Sequence, residues 1–367
     1  TEAHKTLFVP RSTGVVTIGE GSVMRILPEI ASDEKITGTE VAIRSQVNAR
    51  GLAVHFDKGS QLLAPNASVT VQAGKWDYIP STTEQQPPLS RFVYSAGQIY
   101  VDEGAMIDVA GTTAVQVPLE QNILTLEFRG PELADTPLQR EGPFRNTTIT
   151  IDARRTGTFN GREWIGTPLG DATGFLELIE RGVGQLTVAG GDVTLQAGES
   201  VVLQKGSIID VSGGWMNNKG GYIKTTKVIQ GPRLIDIADA TPDMVYDGIY
   251  DPTFTETHAK WGITRTFRPA LSLDRGHYES DYIQGAAGGK ISITAASMAL
   301  DGKLEGTTVI GPRQLRETRI SSSLPKPSKL ELAFRSQDPE PKYGEPFMET
   351  SLRAPTIVFG DRQLRPA

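Results

Sequence analysis

Short runs in which apolar and polar residues alternate dominate the chain, and most of them stop at glycine or another small residue. Examples are GTEVAIRSQ from residue 38, ASVTVQAG from 67, NTTITIDARRTG from 146, GDVTLQAG from 191, GKISITAAS from 289 and APTIVFG from 354. A period of two is typical of β-strands with one buried face and one solvated face. The pattern therefore predicts an all-β protein built from many short strands.

Four of these runs share a core in which two apolar residues and a closing alanine occupy alternate positions. The four sets are Val69-Val71-Ala73, Ile149-Ile151-Ala153, Val193-Leu195-Ala197 and Ile291-Ile293-Ala295. Because alternate residues of a strand point to the same side, each set is expected to face the interior. The closing alanine predicts a tight corner in which a larger side chain would not fit.

One ten-residue segment occurs twice and indicates a structural repeat. The segments EGAMIDVAGT, residues 103–112, and KGSIIDVSGG, residues 205–214, place glycine, an apolar pair and aspartate at matching positions. The stretches EGSVMRIL from residue 20 and KGSQLLAP from residue 58 contain the same glycine corner. Glycine reaches backbone angles that other residues avoid, so we expect a sharp bend before each short strand.

Residues 192–213 read as three short strands separated by two bends. An antiparallel meander and one coil of a parallel β-helix both fit this pattern, and repeats of roughly 20 to 30 residues are typical of solenoids. We predict a parallel β-helix of about eight to ten coils, with long lateral loop insertions and at most one or two short helices. Each coil would be stable only against the next one.

Breaks in the alternation predict the domain organisation. Residues 1–320 are expected to form the β-helix, with insertions at about 74–91, 112–145 and 215–285, and residues 321–367 a Pro-rich extended segment with a final strand. The first insertion reads as a loop because proline, threonine and glutamine are frequent in it.

A single helix start is predicted, within the third insertion. Thr241 is expected to cap the helix, Pro242 to take its first position and Asp243 to face its positive end. The helix would be short, ending near Gly248.

Composition narrows the range of partners. The net charge is −6, from 37 basic and 43 acidic residues that are well mixed, so a nucleic-acid partner is not expected. No apolar run approaches the roughly 18 residues of a membrane span. The absence of cysteine excludes disulfides and cysteine metal sites, and it suits a protein that is exported unfolded. The sequence starts without methionine or a signal peptide, which predicts a piece of a longer polypeptide.

The run GSIIDVSGGWMNNKGGYIKTTKVIQGPRLIDIADATPDMVYDGIYDPTF, with HAKWGITRTF and HYESDYIQGAAGGKISITAASMALDGKLEGTTVIGPRQ beyond it, resembles large filamentous haemagglutinin-like surface proteins of Gram-negative bacteria. The similarity is strongest over residues 190–314 and extends more weakly over residues 10–112. Its most specific elements are GSxIDVSGG and GGxIxIxA. The short signature of the haemagglutination and secretion domain that begins such proteins is not found in this chain.

The resemblance implies a right-handed parallel β-helix in an exported filament that is secreted or displayed on the cell surface. Members of this family leave the cell through a dedicated outer-membrane partner, as in two-partner secretion. The family has no catalytic residues that could be assigned to positions of this chain.

Candidate metal and catalytic sites are few. None of His4, His55, His258 and His277 lies at metal-ligand spacing from another, and nucleophile, phosphate-loop and dinucleotide motifs are absent from the sequence. No catalytic residue and no cofactor are therefore predicted.

An acidic series in the third insertion leaves one metal hypothesis open. The series consists of Asp236, Asp239, Asp243, Asp247 and Asp251. Three of these residues, Asp239, Asp243 and Asp247, are Ca²⁺ candidates. The alternative is that these aspartates cap a helix or form turns on a solvated loop.

Asp108 and Asp210 occupy matching places in the repeated segment. Carboxylates that project from one face of a β-helix are typical of glycoside hydrolases and polysaccharide lyases, so an enzyme with an acidic groove is the alternative function. The competing interpretation is structural, since an aspartate at a corner accepts hydrogen bonds from backbone N–H groups.

Aromatic residues concentrate in the third insertion. Trp215, Tyr222, Tyr246, Tyr250 and Trp261 are candidate contacts for a glycan or a protein partner. Such rings stack on sugars when exposed, but they equally pack an insertion against the body of a protein.

The leading functional hypothesis is a structural and adhesive segment of a large extracellular or cell-surface filament, without catalysis. The expected partners are neighbouring segments of a longer chain or sister subunits, surface glycans and, through the resemblance, an outer-membrane export partner. A third reading is a subunit of a regular assembly whose lateral insertions bind sister chains.

Overall fold

The structure is a computed structural model that describes residues 14–29, 34–37, 44–79, 89–267, 276–316 and 324–335. Strands make up most of its regular structure, and the prediction of an all-β protein is confirmed. The predicted strands at residues 38 and 354 lie at least partly outside the described residues, as do residues 80–88 of the first predicted insertion.

Three parallel sheets of five strands form the body of the protein. The first comprises β1 (Val15–Ile18), β5 (Ala53–Phe56), β10 (Gln98–Val101), β19 (Ser200–Leu203) and β31 (Ser297–Leu300). The second comprises β2 (Val23–Arg25), β6 (Gln61–Leu63), β11 (Met106–Asp108), β20 (Ile208–Asp210) and β32 (Lys303–Glu305). The third comprises β4 (Gln46–Gly51), β7 (Ser68–Ala73), β18 (Asp192–Ala197), β30 (Lys290–Ala295) and β33 (Lys329–Phe334).

The chain passes through these sheets in a fixed order. It visits the first, second and third sheet in turn, and it does so five times within the described residues. Every strand pairs with the equivalent strand of the previous or next pass, so that Val54, Ile99 and Val201 lie side by side across the first sheet. The number of passes is below the predicted eight to ten, because the insertions occupy much of the chain.

One hydrophobic core joins the inner faces of the three sheets. Fully buried examples are Val54, Ile99 and Val201 from the first sheet, Leu62, Ile107 and Ile209 from the second, and Val69, Val193 and Ile293 from the third. Ala73, Ala197 and Ala295 close three third-sheet strands and are buried as well. For these three strands the predicted inward set is confirmed.

Glycine corners precede the second-sheet strands, as the repeated segment predicts. Gly21, Gly59, Gly104 and Gly206 have φ angles of 63°, 68°, 71° and 90°, a region that residues with a Cβ rarely adopt. The two copies of the segment are direct neighbours, because Met106 pairs with Ile208 and Asp108 with Asp210. The repeat in the sequence therefore corresponds to stacked strands.

Three insertions interrupt the passes. The first, between β7 and β10, contains β8 (Lys75–Ile79) and β9 (Leu89–Val93), an antiparallel pair where the sequence predicted only a loop. The second, between β11 and β18, contains β12 (Val115–Val117), a 3-10 turn (Leu119–Asn122), β13 (Ile123–Phe128), α1 (Pro137–Arg140), β14 (Thr147–Asp152), β15 (Thr156–Phe159), β16 (Arg162–Ile165), α2 (Thr173–Leu176), β17 (Glu180–Gly182) and α3 (Val183–Leu186).

The third insertion lies between β20 and β30 and contains β21 (Trp215–Asn218), β22 (Gly221–Ile223), β23 (Lys227–Gln230), β24 (Arg233–Asp236), β25 (Gly248–Ile249), β26 (Phe254–His258), β27 (Ile263–Phe267), β28 (His277–Glu279) and β29 (Tyr282–Gly285). Two elements lie elsewhere, β3 (Lys35–Thr37), which pairs with β17, and α4 (Pro312–Arg316), which follows β32. The strand β33 shows that the segment predicted to be extended from residue 321 returns to the third sheet.

A second hydrophobic core forms between the second and third insertions. Leu126, Phe128, Phe144, Ile149 and Ile151 come from the second insertion, and Val228, Ile237 and Tyr246 come from the third. The interpretation of Ile149-Ile151-Ala153 as a strand of the main stack is wrong, since β14 pairs antiparallel with β13. Alternation of apolar and polar residues indicates that one face of a strand is buried, but it does not indicate in which core that face lies.

The helix predictions need correction. The described residues contain four short α-helices, which exceeds the predicted one or two, and none of them begins at Thr241. Residues 241–244 form a turn instead, in which the Met244 N–H donates to the Thr241 carbonyl. The Tyr246 hydroxyl accepts from the Thr241 N–H at 2.7 Å and lies 3.1 Å from the Thr241 carbonyl oxygen, so the chain folds back. This tertiary contact overrides the local capping signal.

Candidate functional site

A groove with convergent polar and aromatic side chains lies on the second and third insertions, beside helix α4. It measures about 660 Å³, and its lining includes Gln116, Asn217, Lys219, Tyr278, Tyr282 and Arg313. The strands β12, β21 and β29 form a small sheet beneath it, parallel between β12 and β21 and antiparallel between β21 and β29. Gln116 pairs with Asn217, and Asn217 with Ile283, so the two amides lie side by side in one row.

The far wall of this groove is held in place by helix α4. Gln314 is buried, and its Oε1 accepts from the N–H groups of Gly285 at 2.9 Å and Gly311 at 2.8 Å. Its Nε2 donates to the Gly285 carbonyl at 3.0 Å. Arg313 forms an ion pair with Glu279, and its guanidinium carbon lies 4.0 Å from the centroid of the Tyr282 ring. The wall is therefore anchored to β29 by several independent contacts.

Tyr278, in the groove lining, belongs to a pair of exposed tyrosines. Tyr222 and Tyr278 are direct partners on the antiparallel strands β22 and β28, and their ring centroids are 5.5 Å apart at 66°. The exposed fractions are 76% for Tyr222 and 61% for Tyr278, which is unusually high for rings of this size. Only Tyr278 of the pair lines the groove itself.

The five aromatic residues singled out from the sequence have different environments. Tyr222 is exposed, and so is Trp261, with 67% exposure at the turn between β26 and β27 and its ring 5.7 Å from His258. Trp215 and Tyr250 are half-buried. Tyr246 is 4% exposed within the second core, so its prediction as a partner contact is corrected and its role is packing.

The sequence places Tyr278 and Tyr282 among the aromatic residues of the third insertion, but they were not among the five candidate contacts. Both follow a segment without a clear pattern, and their importance depends on the pairing of β28 with β22 and of β29 with β21. These pairings join residues far apart in the chain, which no local signal reports.

A smaller cavity of about 200 Å³ lies beside the β15–β16 hairpin. Phe159, Trp164 and Asp135 contribute to its lining. Arg162 forms an ion pair with Asp135, with 3.0 Å between Nη1 and Oδ2. The indole of Trp164 covers Gly157, where a Cβ would come within 2.4 Å of the ring. The ring and the ion pair thus serve the hairpin's own packing.

The aspartates of the acidic series have separate environments rather than a shared site. Asp239 pairs with Arg155 at 2.6 Å, Asp247 accepts from the Gly231 N–H at 2.7 Å, and Asp243 is exposed. No group of three histidine or acidic side chains in the described part of the chain could hold a metal ion. The structure does not bring the three Ca²⁺ candidates, Asp239, Asp243 and Asp247, together.

Asp108 and Asp210 form a row of carboxylates with Glu305 across the second sheet. The Oδ1 atom of Asp108 accepts from the Ala110 N–H at 2.9 Å, and that of Asp210 accepts from the Ser212 N–H at 2.8 Å. Burial raises the pKa of Asp108, and the neighbouring Asp210 adds to this, although the hydrogen bond from Ala110 opposes it. Each aspartate therefore accepts a hydrogen bond from the backbone at its own corner, and Asp108 does so with a raised pKa.

We expect the raised pKa of Asp108 to be visible in the pH dependence of the protein's stability. Because the pKa of Asp108 is higher in the folded chain, the folded state binds the proton more tightly, and ionisation lowers the free energy of unfolding as the pH rises. In Asp108→Asn the amide oxygen can still cap Ala110. The melting temperature of the variant minus that of the wild type should increase from pH 3 to pH 7 in thermal melts. A decrease over this interval would contradict the assignment.

None of the helices in the described residues combines the length and the apolar character that a membrane span requires. Comparison of the chain with protein families, curated proteins and solved structures finds no match.

Proposed function

We propose that this chain is a segment of a right-handed parallel β-helix and serves as a structural and adhesive part of a large filament that is secreted or displayed on the cell surface. The observation that carries the proposal is the fixed order of the three parallel sheets over five passes, with in-register pairing between passes. Such stacking is the hallmark of a solenoid, in which each coil contacts only its neighbours. Parallel strands joined by right-handed crossovers are the general rule, which supports the proposed hand.

The outermost passes support a place within a longer assembly. Met24 pairs with the buried Leu62, and Leu330 and Leu332 pair with Ile291 and Ile293, so all three occupy inward positions. Nevertheless Met24 is 37% exposed, Leu330 52% and Leu332 36%. Within the described residues the outer edges of β2 and β33 have no strand partner, and such edges beside exposed inward side chains invite a further coil. Neighbouring segments of the same chain or sister subunits are the proposed partners.

Location and export are part of this proposal. The filamentous haemagglutinin-like repeats described above support a Gram-negative cell surface and an outer-membrane export partner. The lateral insertions would supply the adhesive contacts, because they carry the exposed aromatic rings of Tyr222 and Tyr278.

Labelling of cells tests the proposal. Antibodies against this chain should label intact cells of the source organism, and negative-stain images of the released antigen should show rods. Labelling only after permeabilisation would contradict the surface location. Compact particles of the size expected for this chain alone would contradict the proposed filament.

A second candidate is a carbohydrate-active β-helix enzyme, which the carboxylate row and the raised pKa of Asp108 favour. The purified chain should be incubated with neutral and acidic polysaccharides, while reducing ends and unsaturated uronates are measured. Product formation that disappears in Asp210→Asn would establish the enzyme. We expect no product, because both aspartates already bond their own corners.

A further inference from the structure

We propose that the groove beside Tyr278 binds a neutral oligosaccharide. The Tyr278 ring would stack on the apolar face of one sugar unit, and the amides of Gln116 and Asn217 would bond its hydroxyl groups. The inference deepens the proposed adhesive function by naming a ligand class, and it relies on that function for its biological role. The evidence for oligosaccharide binding itself comes from the groove and does not depend on the filament.

The exposed ring of Tyr278 in the groove lining fits the apolar face of a sugar. Large rings on a soluble surface are normally packed away, whereas Tyr222 and Tyr278 remain exposed as a pair. Their positions on paired strands bring the two rings into edge-on contact with each other at 66°. Tyrosine offers a rigid contact surface with few rotatable bonds, so binding loses little conformational entropy.

The floor of the groove fits hydroxyl groups. An amide side chain offers two donors and one acceptor, which matches pairs of hydroxyls that donate and accept at once. Gln116 and Asn217 are cross-strand neighbours in this floor, and the Gln116 amide is oriented by a 2.9 Å bond from its Nε2 to the Ala114 carbonyl. The Gln116 Oε1 takes no part in that bond.

The charges of the groove favour a neutral ligand. Its charged lining consists of two basic residues, Lys219 and Arg313, and two acidic residues, Glu279 and Asp281. Arg313 is paired with Glu279, and the Asp281 Oδ1 accepts from the Gly220 N–H at 2.7 Å. A polyanionic glycan would require an excess of unpaired cations, which this balance does not provide.

The groove is also preorganised. Arg313 lies over Tyr282 while Gln314 bonds Gly285, so helix α4 and strand β29 are held together on one side. Sites whose walls are fixed before binding avoid the free energy that ordering would cost.

Glycan binding by the purified 367-residue chain tests the proposal. The chain is first screened on an array of neutral hexose and N-acetylhexosamine oligosaccharides together with uronate-containing ones. The best ligand is then titrated calorimetrically against four forms of the chain, namely the wild type and the variants Tyr278→Ala, Tyr278→Phe and Trp261→Ala. Circular dichroism and thermal melts confirm that each variant is folded.

We expect neutral oligosaccharides to bind and Tyr278→Ala to weaken binding about tenfold, the effect of losing a central aromatic contact. Tyr278→Phe should keep most of the affinity because the ring remains. Trp261→Ala is the matched control: its indole is similarly exposed but lies on the β26–β27 hairpin outside the groove lining, so the affinity should not change.

Three outcomes would overturn the inference. They are a failure to bind any neutral oligosaccharide, binding that Tyr278→Ala leaves intact, and binding restricted to acidic glycans that disappears at high salt. The cell-labelling experiment fails or succeeds independently. A surface-exposed rod without glycan binding would refute the groove alone, whereas groove binding in a chain never found at the surface would refute the filament alone.

Discussion

Replacing Gly289 by alanine should lower the free energy of unfolding by about 3 kcal/mol or more, because the new methyl group has no space. A Cβ at this position would lie 1.8 Å from the carbonyl oxygen of Gly191, which is backbone and cannot swing away. Gly289 precedes β30 and Gly191 precedes β18, so this is the point where two passes meet. The Gly289 N–H also donates to the Val211 carbonyl at 2.8 Å, which prevents a shift of the chain.

Urea denaturation followed by circular dichroism measures this effect. Gly130→Ala is the matched control, since nothing lies within 4 Å of a Cβ built on Gly130. We expect the control to stay within about 0.5 kcal/mol of the wild type. Equal midpoints for Gly289→Ala and the wild type would show that the passes do not meet as closely as described.

Replacing Asp152 by alanine should cost about 3 to 5 kcal/mol of stability, because it leaves the buried Arg154 without its counter-charge. The Asp152 side chain is 1% exposed and that of Arg154 is 9% exposed. Two bonds join them, Nε to Oδ1 at 2.8 Å and Nη2 to Oδ2 at 3.0 Å. The Nη1 atom has no hydrogen-bond partner among the described residues. The guanidinium also faces the Tyr282 ring, whose centroid lies 6.0 Å from Cζ, but this ring supplies no carboxylate in place of Asp152.

The double variant Asp152→Ala/Arg154→Met separates the pair from its surroundings. Removing both charges eliminates the uncompensated ion, so the double variant should be clearly more stable than Asp152→Ala alone. Denaturation midpoints of the wild type, both single variants and the double variant complete the thermodynamic cycle. Additive losses would mean that the two groups do not interact.

Much of the main stack could be predicted from local sequence signals. Alternation identified the third-sheet strands β7, β18 and β30, and the glycine corners identified the second-sheet strands β2, β6, β11 and β20, because both patterns act within a few residues. Ile149-Ile151-Ala153 shows the limit of this reasoning. Its alternation is as regular as that of Val69-Val71-Ala73, but its partner is an antiparallel strand of the same insertion.

The second core was beyond local signals for the same reason. Phe128 and Val228 lie in different insertions and meet only because β11 and β20 are adjacent. One signal was readable, however: Asn160-Gly161 between two short alternating runs is a typical two-residue hairpin turn, and both residues have positive φ angles, of 50° and 81°.

The candidate groove could be predicted only in part. Tyr222 was named as a candidate contact because aromatic residues concentrate in the third insertion, which is a compositional argument. Tyr278 becomes its partner only after β22 and β28 pair, and Gln116 reaches Asn217 only after strands from two insertions join. A site assembled from such distant segments leaves no motif of fixed spacing in the sequence.

The second and third insertions leave the stack after the adjacent strands β11 and β20, and they return to it at the adjacent strands β18 and β30. Because they share one hydrophobic core, neither can diversify on its own without exposing apolar side chains of the other. Relatives of this chain should therefore gain, lose or exchange the two insertions as a unit. An engineer who wishes to graft a new binding module onto this scaffold should likewise transplant both together.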